Sequence, residues 1–309
     1  MMTTLHRRRL LAALILWAGL LAGCVNPAQR PEPDEVVLLN DTHVTAVAHR
    51  RSPSPEDNLR ANVRAILALP RRPAVVIING DLALSVGTQA DYRVLRECVT
   101  PLLDAGLKVH FNFGNHDVRS EFFAVFPEAR GATSLKDGRH AAVIDLPNVR
   151  LLLLDTLKDS PAAPGILGAE QIGWILAQAD ASPEKPLVLV GHHNPQVGGD
   201  PRHYPGGILD TADLWPQLVG RHQVKAYLHG HTHEWTLASD NGIHVISTIA
   251  SAYVFRPEIN STGWTLARFH PEGVELELRT QDPAHRWSGE RKWLFWRLPP
   301  PVKPSPAKK

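Results

Sequence analysis

Five times between residues 36 and 233, a short apolar run stops at aspartate, asparagine or histidine. Val36-Val37-Leu38-Leu39 stops at Asn40-Asp41, and Ala74 to Ile78 stops at Asn79-Gly80-Asp81. Val109 to Phe113 stops at Gly114-Asn115-His116-Asp117, and Leu187 to Val190 at Gly191-His192-His193. Ala226-Tyr227-Leu228 stops at His229-Gly230-His231. Runs of this length, rich in β-branched residues and closed by turn chemistry, read as buried strands. Such strands need both faces covered, which restricts the chain to layered α/β folds.

The segments between the runs supply the cover. Ser54-Pro55-Glu56-Asp57 is a helix start, with a capping serine, proline at the first helical position and early acids. It leads into helical spacing from Leu59 to Leu69, and Thr88 to Leu103 and Gly168 to Ala179 read the same way. Beyond His244 the pattern turns to strands, with Thr265 to Phe269 and Val274 to Arg279 on either side of Pro271-Glu272-Gly273. The order is βαβα with added antiparallel strands, an α/β sandwich. No internal repeat or break in composition divides residues 36–298, which are read as one domain. Trp287, Trp293, Phe295 and Trp296 are expected to cover the core or a sheet edge.

The ends read differently. Arg7, Arg8 and Arg9 precede an apolar run from Leu10 to Leu21, too short for a comfortable membrane span, and then Ala22-Gly23-Cys24. This is the pattern of an export signal, residues 1–23, and Leu21-Ala22-Gly23-Cys24 resembles the lipobox at which bacterial lipoproteins are lipidated on cysteine. The expectation is an exported protein, anchored by lipid at Cys24 to the membrane of a bacterial envelope. Residues 24–35 then form a proline-containing tether, and residues 299–309 a proline-rich tail.

Cleavage changes the charge argument. The whole chain carries a formal charge of +2, but losing three arginines leaves 30 basic against 31 acidic residues, a net charge of −1. A basic surface seeking nucleic acid is therefore not expected. Two cysteines, Cys24 and Cys98, exclude a disulfide scaffold.

Histidine is the residue in excess. Seven of the 16 histidines fall in the strand-end clusters, His229 included. In open α/β sheets, ligand sites form beyond the carboxyl ends of strands. Aspartate, asparagine and neutral histidine are ligands suited to first-row divalent metals. Each fragment alone is an ordinary turn, although His231 and His233, two apart on an extended segment, project to the same side. The whole series, each member directly after an apolar strand, points to a metal centre.

The series Asp41-Thr42-His43, Gly80-Asp81, Gly114-Asn115-His116-Asp117, Gly191-His192-His193 and Gly230-His231-Thr232-His233 resembles the pattern of the calcineurin-like metallophosphoesterase family. The motifs span about Val36 to His233. The resemblance implies a β-sandwich flanked by helices, four layers in the order αββα. It implies two metal ions, drawn from iron, manganese or zinc: Asp41, His43 and His233 on one, Asn115, His192 and His231 on the other, and Asp81 bridging. His116 takes the place of the family's catalytic histidine, assisting a metal-bridging hydroxide that attacks phosphorus.

Of the histidine pair, the first, His192, is the family's usual ligand, which leaves His193 beside the ligands or facing substrate. Arg119 is read either as a clamp on the substrate phosphate or as a structural salt bridge. Leu84, three residues after Asp81, stands where purple acid phosphatases place a metal-binding tyrosine, so that branch is rejected. Gly-Asn-His-Asp followed by Arg119 resembles the branch of cyclic nucleotide and glycerophosphodiester phosphodiesterases. Asn194-Pro195 departs from the Pro-Pro usual there. The implied substrate is a small phosphoester, by inclination a diester. The alternatives are a phosphomonoesterase of the same fold and an inactive member serving as a binding scaffold, against which every motif position is filled. The loop carrying Gly198, Gly199, His203, Tyr204, Gly206 and Gly207 is expected to border the cleft.

Overall fold

The computed structural model describes residues 32–299, apart from 49–50, 131–134, 137 and 199–205. The export signal, the lipobox cysteine, most of the tether and the tail lie outside the described residues, as do His203 and Tyr204.

Two six-stranded mixed sheets face each other. The first has the order β12 (Arg291–Phe295), β11 (Gly273–Thr280), β10 (Gly263–His270), β1 (Asp34–Asn40), β2 (Val75–Asn79), β3 (Val109–Asn112). The second has the order β4 (Ala142–Asp145), β5 (Arg150–Leu154), β6 (Leu187–Gly191), β7 (Val224–His229), β9 (Ile243–Ser247), β8 (Thr236–Asp240). Alternation along each strand builds the layers. In β1, Val36 and Leu38 join Val188, Val190, Leu228 and Phe269 between the sheets. Val37 and Leu39 face the other way, against α1 (Pro55–Leu67), α2 (Gln89–Asp104) and α3 (Arg119–Val125). On the far side Leu152, Leu154 and Leu189 pack under α4 (Ala169–Asp180) and α5 (Thr211–Val219). The result is the four-layered αββα arrangement.

The helix starts are local sequence made visible. Ser54 caps α1 and Thr88 caps α2, each with a reciprocal bond from an aspartate three residues on. Three differences from the sequence reading stand out. β1 begins at Asp34, inside the expected tether, because Asp34 and Glu35 pair with Phe269 and Arg268 of β10. β5, a run of four leucines, is an additional buried strand with its own functional end. β4, β8, β9 and β12 are further additions, too short or too polar to stand out. Trp287 and Trp296 are buried as expected, whereas Phe295 is exposed on the edge strand.

Candidate metal centre

β1, β2 and β3 run parallel in one sheet, and β5, β6, β7 and β9 run parallel in the other. Their carboxyl ends therefore gather the following loops at one rim of the sandwich. The loops are knitted together by backbone. His43 N–H donates to Asp81 O at 2.9 Å and Val44 N–H to Leu82 O at 3.0 Å, joining the ends of β1 and β2. Gly230 N–H donates to His192 O at 3.1 Å, joining β6 and β7. Across the sheets, His231 N–H donates to the Asp41 carboxylate at 3.1 Å.

Backbone conformation marks the same residues. Among the described residues, six non-glycine positions have positive φ, and five of them are Asp41, His43, Asp81, His231 and His233. That region costs a side-chain-bearing residue energy and persists where the surroundings over-determine it. Here it lets each strand turn abruptly. Gly80 and Gly114 are needed for a different reason, close approach. A Cβ on Gly80 would lie 2.6 Å from the His192 ring, and one on Gly114 2.7 Å from the same ring.

The structure brings six of the seven expected ligands into two groups, the second joined by His193. Ligand atoms of Asp41, His43, Asp81 and His233 all lie within 4.8 Å of one another, as do those of His192, His193 and His231. Nε2 of His43 and Nε2 of His233 are 3.1 Å apart. Two imidazoles each ~2.1 Å from one ion, at near-right or tetrahedral angles, show about this separation.

Asp81 stands between the groups. Its Oδ2 is 3.7 Å from His43 Nε2 and 3.9 Å from His116 Nε2. Its Oδ1 is 3.3 Å from His192 Nε2 and accepts the His116 backbone N–H at 3.1 Å. Asn115, on the same loop as His116, is buried, and its Oδ1 has no hydrogen-bond partner. A buried amide oxygen without a partner is costly unless something electropositive meets it. That orphaned oxygen, the paired imidazoles and the hard-to-borderline donor set all fit two first-row metal ions.

Electrostatics favour the same reading. Burial alone would raise the Asp81 carboxyl, but His192, His43 and His116 outweigh it and hold it well below the usual range. Burial raises Asp41 to about 7, with His192 pulling back and the like charge of Asp81 adding. Burial opposes charge on His192, yet Asp81 and Asp41 push it up to about 9. Burial keeps His43 neutral and lowers His231 to about 3 and His233 to about 4, so their nitrogen lone pairs stay available.

A floor of asparagines sets the tautomer of His192. Asn40, Asn79 and Asn112, the last residues of β1, β2 and β3, stand in register and are buried. Asn79 Nδ2 donates to Gly191 O at 3.0 Å, and Asn112 Nδ2 donates to Asn79 Oδ1 at 2.8 Å and to Val190 O at 2.9 Å. Asn40 Nδ2 reaches Thr248 O at 3.0 Å, so the row staples one sheet to the other under the centre. His192 Nδ1 lies 3.0 Å from the backbone oxygen of Asn79, an acceptor only, so Nδ1 carries a proton and Nε2 is the nitrogen left facing the centre, 3.3 Å from Asp81 Oδ1.

Sequence reasoning missed two further groups. Asp117 accepts from Gly114 N–H at 2.8 Å, Leu82 N–H at 3.0 Å and Tyr92 OH at 3.2 Å, tying the loops after β2 and β3 together. Its signal was the fourth position of Gly-Asn-His-Asp. Asp155 and Thr156 follow β5 as a sixth strand end, signalled by the leucine run before them.

Asp155 is also the partner of Arg119. The guanidinium meets the fully buried Asp155 carboxylate through Nε and Nη2, both at 2.7 Å, and Leu157 O at 2.6 Å. The geometry is that of a bidentate salt bridge. Thr156 Oγ1 lies 2.7 Å from His193 Nδ1, and His193 is wholly buried with its ring 4.6 Å from that of His231. His193 thus lies buried beside His231, in the same group of ligand atoms as His192. At the far end of the loop expected to border the cleft, Gly206 packs on His231 so closely that a Cβ would strike Nε2. Among the groups facing Asp81, His116 is the accessible one, its side chain 26% exposed.

Comparison with known proteins agrees with this geometry. The model of the calcineurin-like phosphoesterase family matches residues 35–235. The chain is 26% identical over 207 residues to a probable cyclic nucleotide phosphodiesterase of Psychrobacter arcticus, covering 65% of this chain and 71% of that one. It is 25% identical over 253 residues to a probable glycerophosphodiester phosphodiesterase of Arcobacter nitrofigilis, covering 80% and 89%. In fold it is similar to a dimetal phosphatase from Danio rerio, with a TM-score of 0.67, 15% identity, and coverage of 86% of this chain and all of that one.

Proposed function

The chain belongs to the calcineurin-like phosphoesterase family, and from that premise we propose that it hydrolyses phosphodiesters at a centre of two metal ions. The observation that carries the proposal is the division of the Asp81 carboxylate, Oδ2 toward His43 and Oδ1 toward His192. A single carboxylate shared between two donor groups would hold a cation on each side. Asp41, His43 and His233 complete one set, and Asn115, His192 and His231 the other. Bound there, iron, manganese or zinc would neutralise phosphate oxygens and acidify a water at neutral pH.

The side chains supply the rest. The four buried imidazoles complete both donor sets without adding negative charge, so an anionic ester is still drawn in. His116, held through its backbone by Asp81 and exposed at the mouth, meets the scissile phosphate and protonates the departing oxygen. The preference for diesters is supported by the printed activities of the relatives, cyclic nucleotide and glycerophosphodiester cleavage.

The test uses metal-reconstituted protein against a nitrophenyl monoester, its bis-ester and 3′,5′-cyclic nucleotides. Diesters are expected to be cleaved faster, and Asp81→Asn or His231→Ala to abolish turnover and lower metal stoichiometry. Full activity in those variants would overturn the mechanism, and faster cleavage of the monoester would overturn the preference. For localisation, the charged, apolar and Leu-Ala-Gly-Cys pattern at residues 7–24 supports export and lipid attachment at Cys24. Cys24→Ser is expected to move the protein from the membrane fraction to the soluble fraction.

A further inference from the structure

The groups facing Asp81 are nearly closed to solvent, and the line of rings running from them shows where they open. His116, partly exposed, meets His43 edge-on at 5.2 Å between centroids, and His43 lies 4.9 Å from His233. His233 in turn lies 4.4 Å from Phe255, tilted by 31°. Tyr253 touches three members of the line: His43 at 5.3 Å, His233 at 6.0 Å and Phe255 at 5.6 Å. The two ends of this line are the accessible ones, and Phe255 is 54% exposed. Its segment is pinned over the His233 loop by an ion pair between Arg256 and Glu234. A half-exposed phenylalanine, held by its neighbours and tilted against the buried His233 ring, is not needed to fill the core.

Resting on the proposed phosphodiester hydrolysis, we propose that Phe255, backed by Tyr253, is the platform on which the planar base of a nucleotide substrate stacks. The phosphate end of the substrate belongs at Asp81 and His116. Phe255 stands one ring beyond His233, on the side away from His43. A nucleotide carries its planar base on a sugar, set apart from the phosphate. Base–aromatic stacking tolerates any base, because every base has a π-face. The platform therefore selects for nucleotides as a class over diesters with aliphatic groups on both sides.

The measurement is the ratio of kcat/KM for 3′,5′-cyclic AMP to that for glycerophosphoethanolamine, a diester without a ring. Phe255→Ala is expected to lower this ratio about tenfold, mainly through KM for the cyclic nucleotide, the loss of one base–ring stack. Phe255→Leu keeps an apolar cover over His233 but has no ring, and is expected to behave like the alanine variant. Phe255→Trp is expected to restore the ratio, and calorimetric affinity for adenosine 5′-monophosphate is expected to follow the same order. Metal content and melting temperature confirm that each variant is folded and loaded.

A ratio unchanged in Phe255→Ala, or a leucine variant equal to wild type, overturns the platform and leaves Phe255 as a cover for His233. Wild-type protein that cleaves only the aliphatic diester also overturns it, while the phosphodiesterase reading stands. Metal-loaded wild type that cleaves neither overturns the underlying function as well.

Discussion

Replacing Arg119 with methionine separates a clamp from a brace. Methionine fills much of the same volume but removes the cation and all its donors. Asp155 would keep the backbone N–H groups of His140 at 2.9 Å and Leu157 at 3.1 Å and lose two charge-assisted bonds. Leu157 O would keep its bond from Arg139 Nη1 at 2.9 Å. Breaking a fully buried ion pair costs about 3–5 kcal/mol, because one charge is left uncompensated. Arg119 is 26% exposed on its side, so water recovers part of that loss and about 2–4 kcal/mol is expected. At about 2–4 °C per kcal/mol for a domain of this size, the melting temperature should fall by roughly 5–12 °C. Calorimetry on metal-loaded protein measures this, alongside kcat and KM for the bis-nitrophenyl ester in the cold, where both proteins are folded. A brace predicts a lower melting temperature with KM within about threefold of wild type. A melting temperature within 2 °C of wild type, with kcat/KM down a hundredfold, would refute the reasoning and return Arg119 to the substrate.

Three other perturbations probe the supports of the centre. Asn79→Leu strips a donor from Gly191 O and an acceptor from Asn112, and is expected to cost about 1–3 kcal/mol in denaturant unfolding and to weaken binding of one of the two ions. Two undiminished metal-binding steps in a titration would contradict the role given to the asparagine row. Gly114→Ala drives a Cβ into the Asp81 backbone and the His192 ring, so metal analysis should find less than the full complement of ions. Cys98 lies on the buried face of α2 and its thiol is pushed up to about 11 by burial, with Arg60 opposing. At pH 8 its thiolate fraction is about a thousandth, so a thiol reagent should leave Cys98 unlabelled until denaturant is added. Labelling within minutes in the native state would show that the core there is open.

Local chemistry was legible without coordinates. The capping boxes at Ser54 and Thr88, the apolar strands and the ligand types at their ends depend on residues within a few positions of each other. Continuous apolar runs and the turn residues that close them act over that range, so the chain alone specified a sandwich with Asp, Asn and His at its strand ends, in the right order. The short polar-flanked strands β4, β8, β9 and β12 escaped, because a strand of four or five residues carries little periodic signal and is held by its neighbours.

What only the tertiary structure decided are relations between distant residues. Asp41 orients His231 across 190 positions, Asn79 sets the His192 tautomer across 113, and Asp155 takes Arg119 across 36. The same is true of the exposed Phe255 beside His233, an ordinary surface residue until the fold lays it on a ligand. Residue type says what a side chain can bond. The closure of two sheets onto one rim says which partner is within 3 Å, and hydrogen bonds and metal coordination fall off steeply beyond that distance. The chemistry of this protein was therefore written in its sequence, and the assignment of each atom to its task was made by packing.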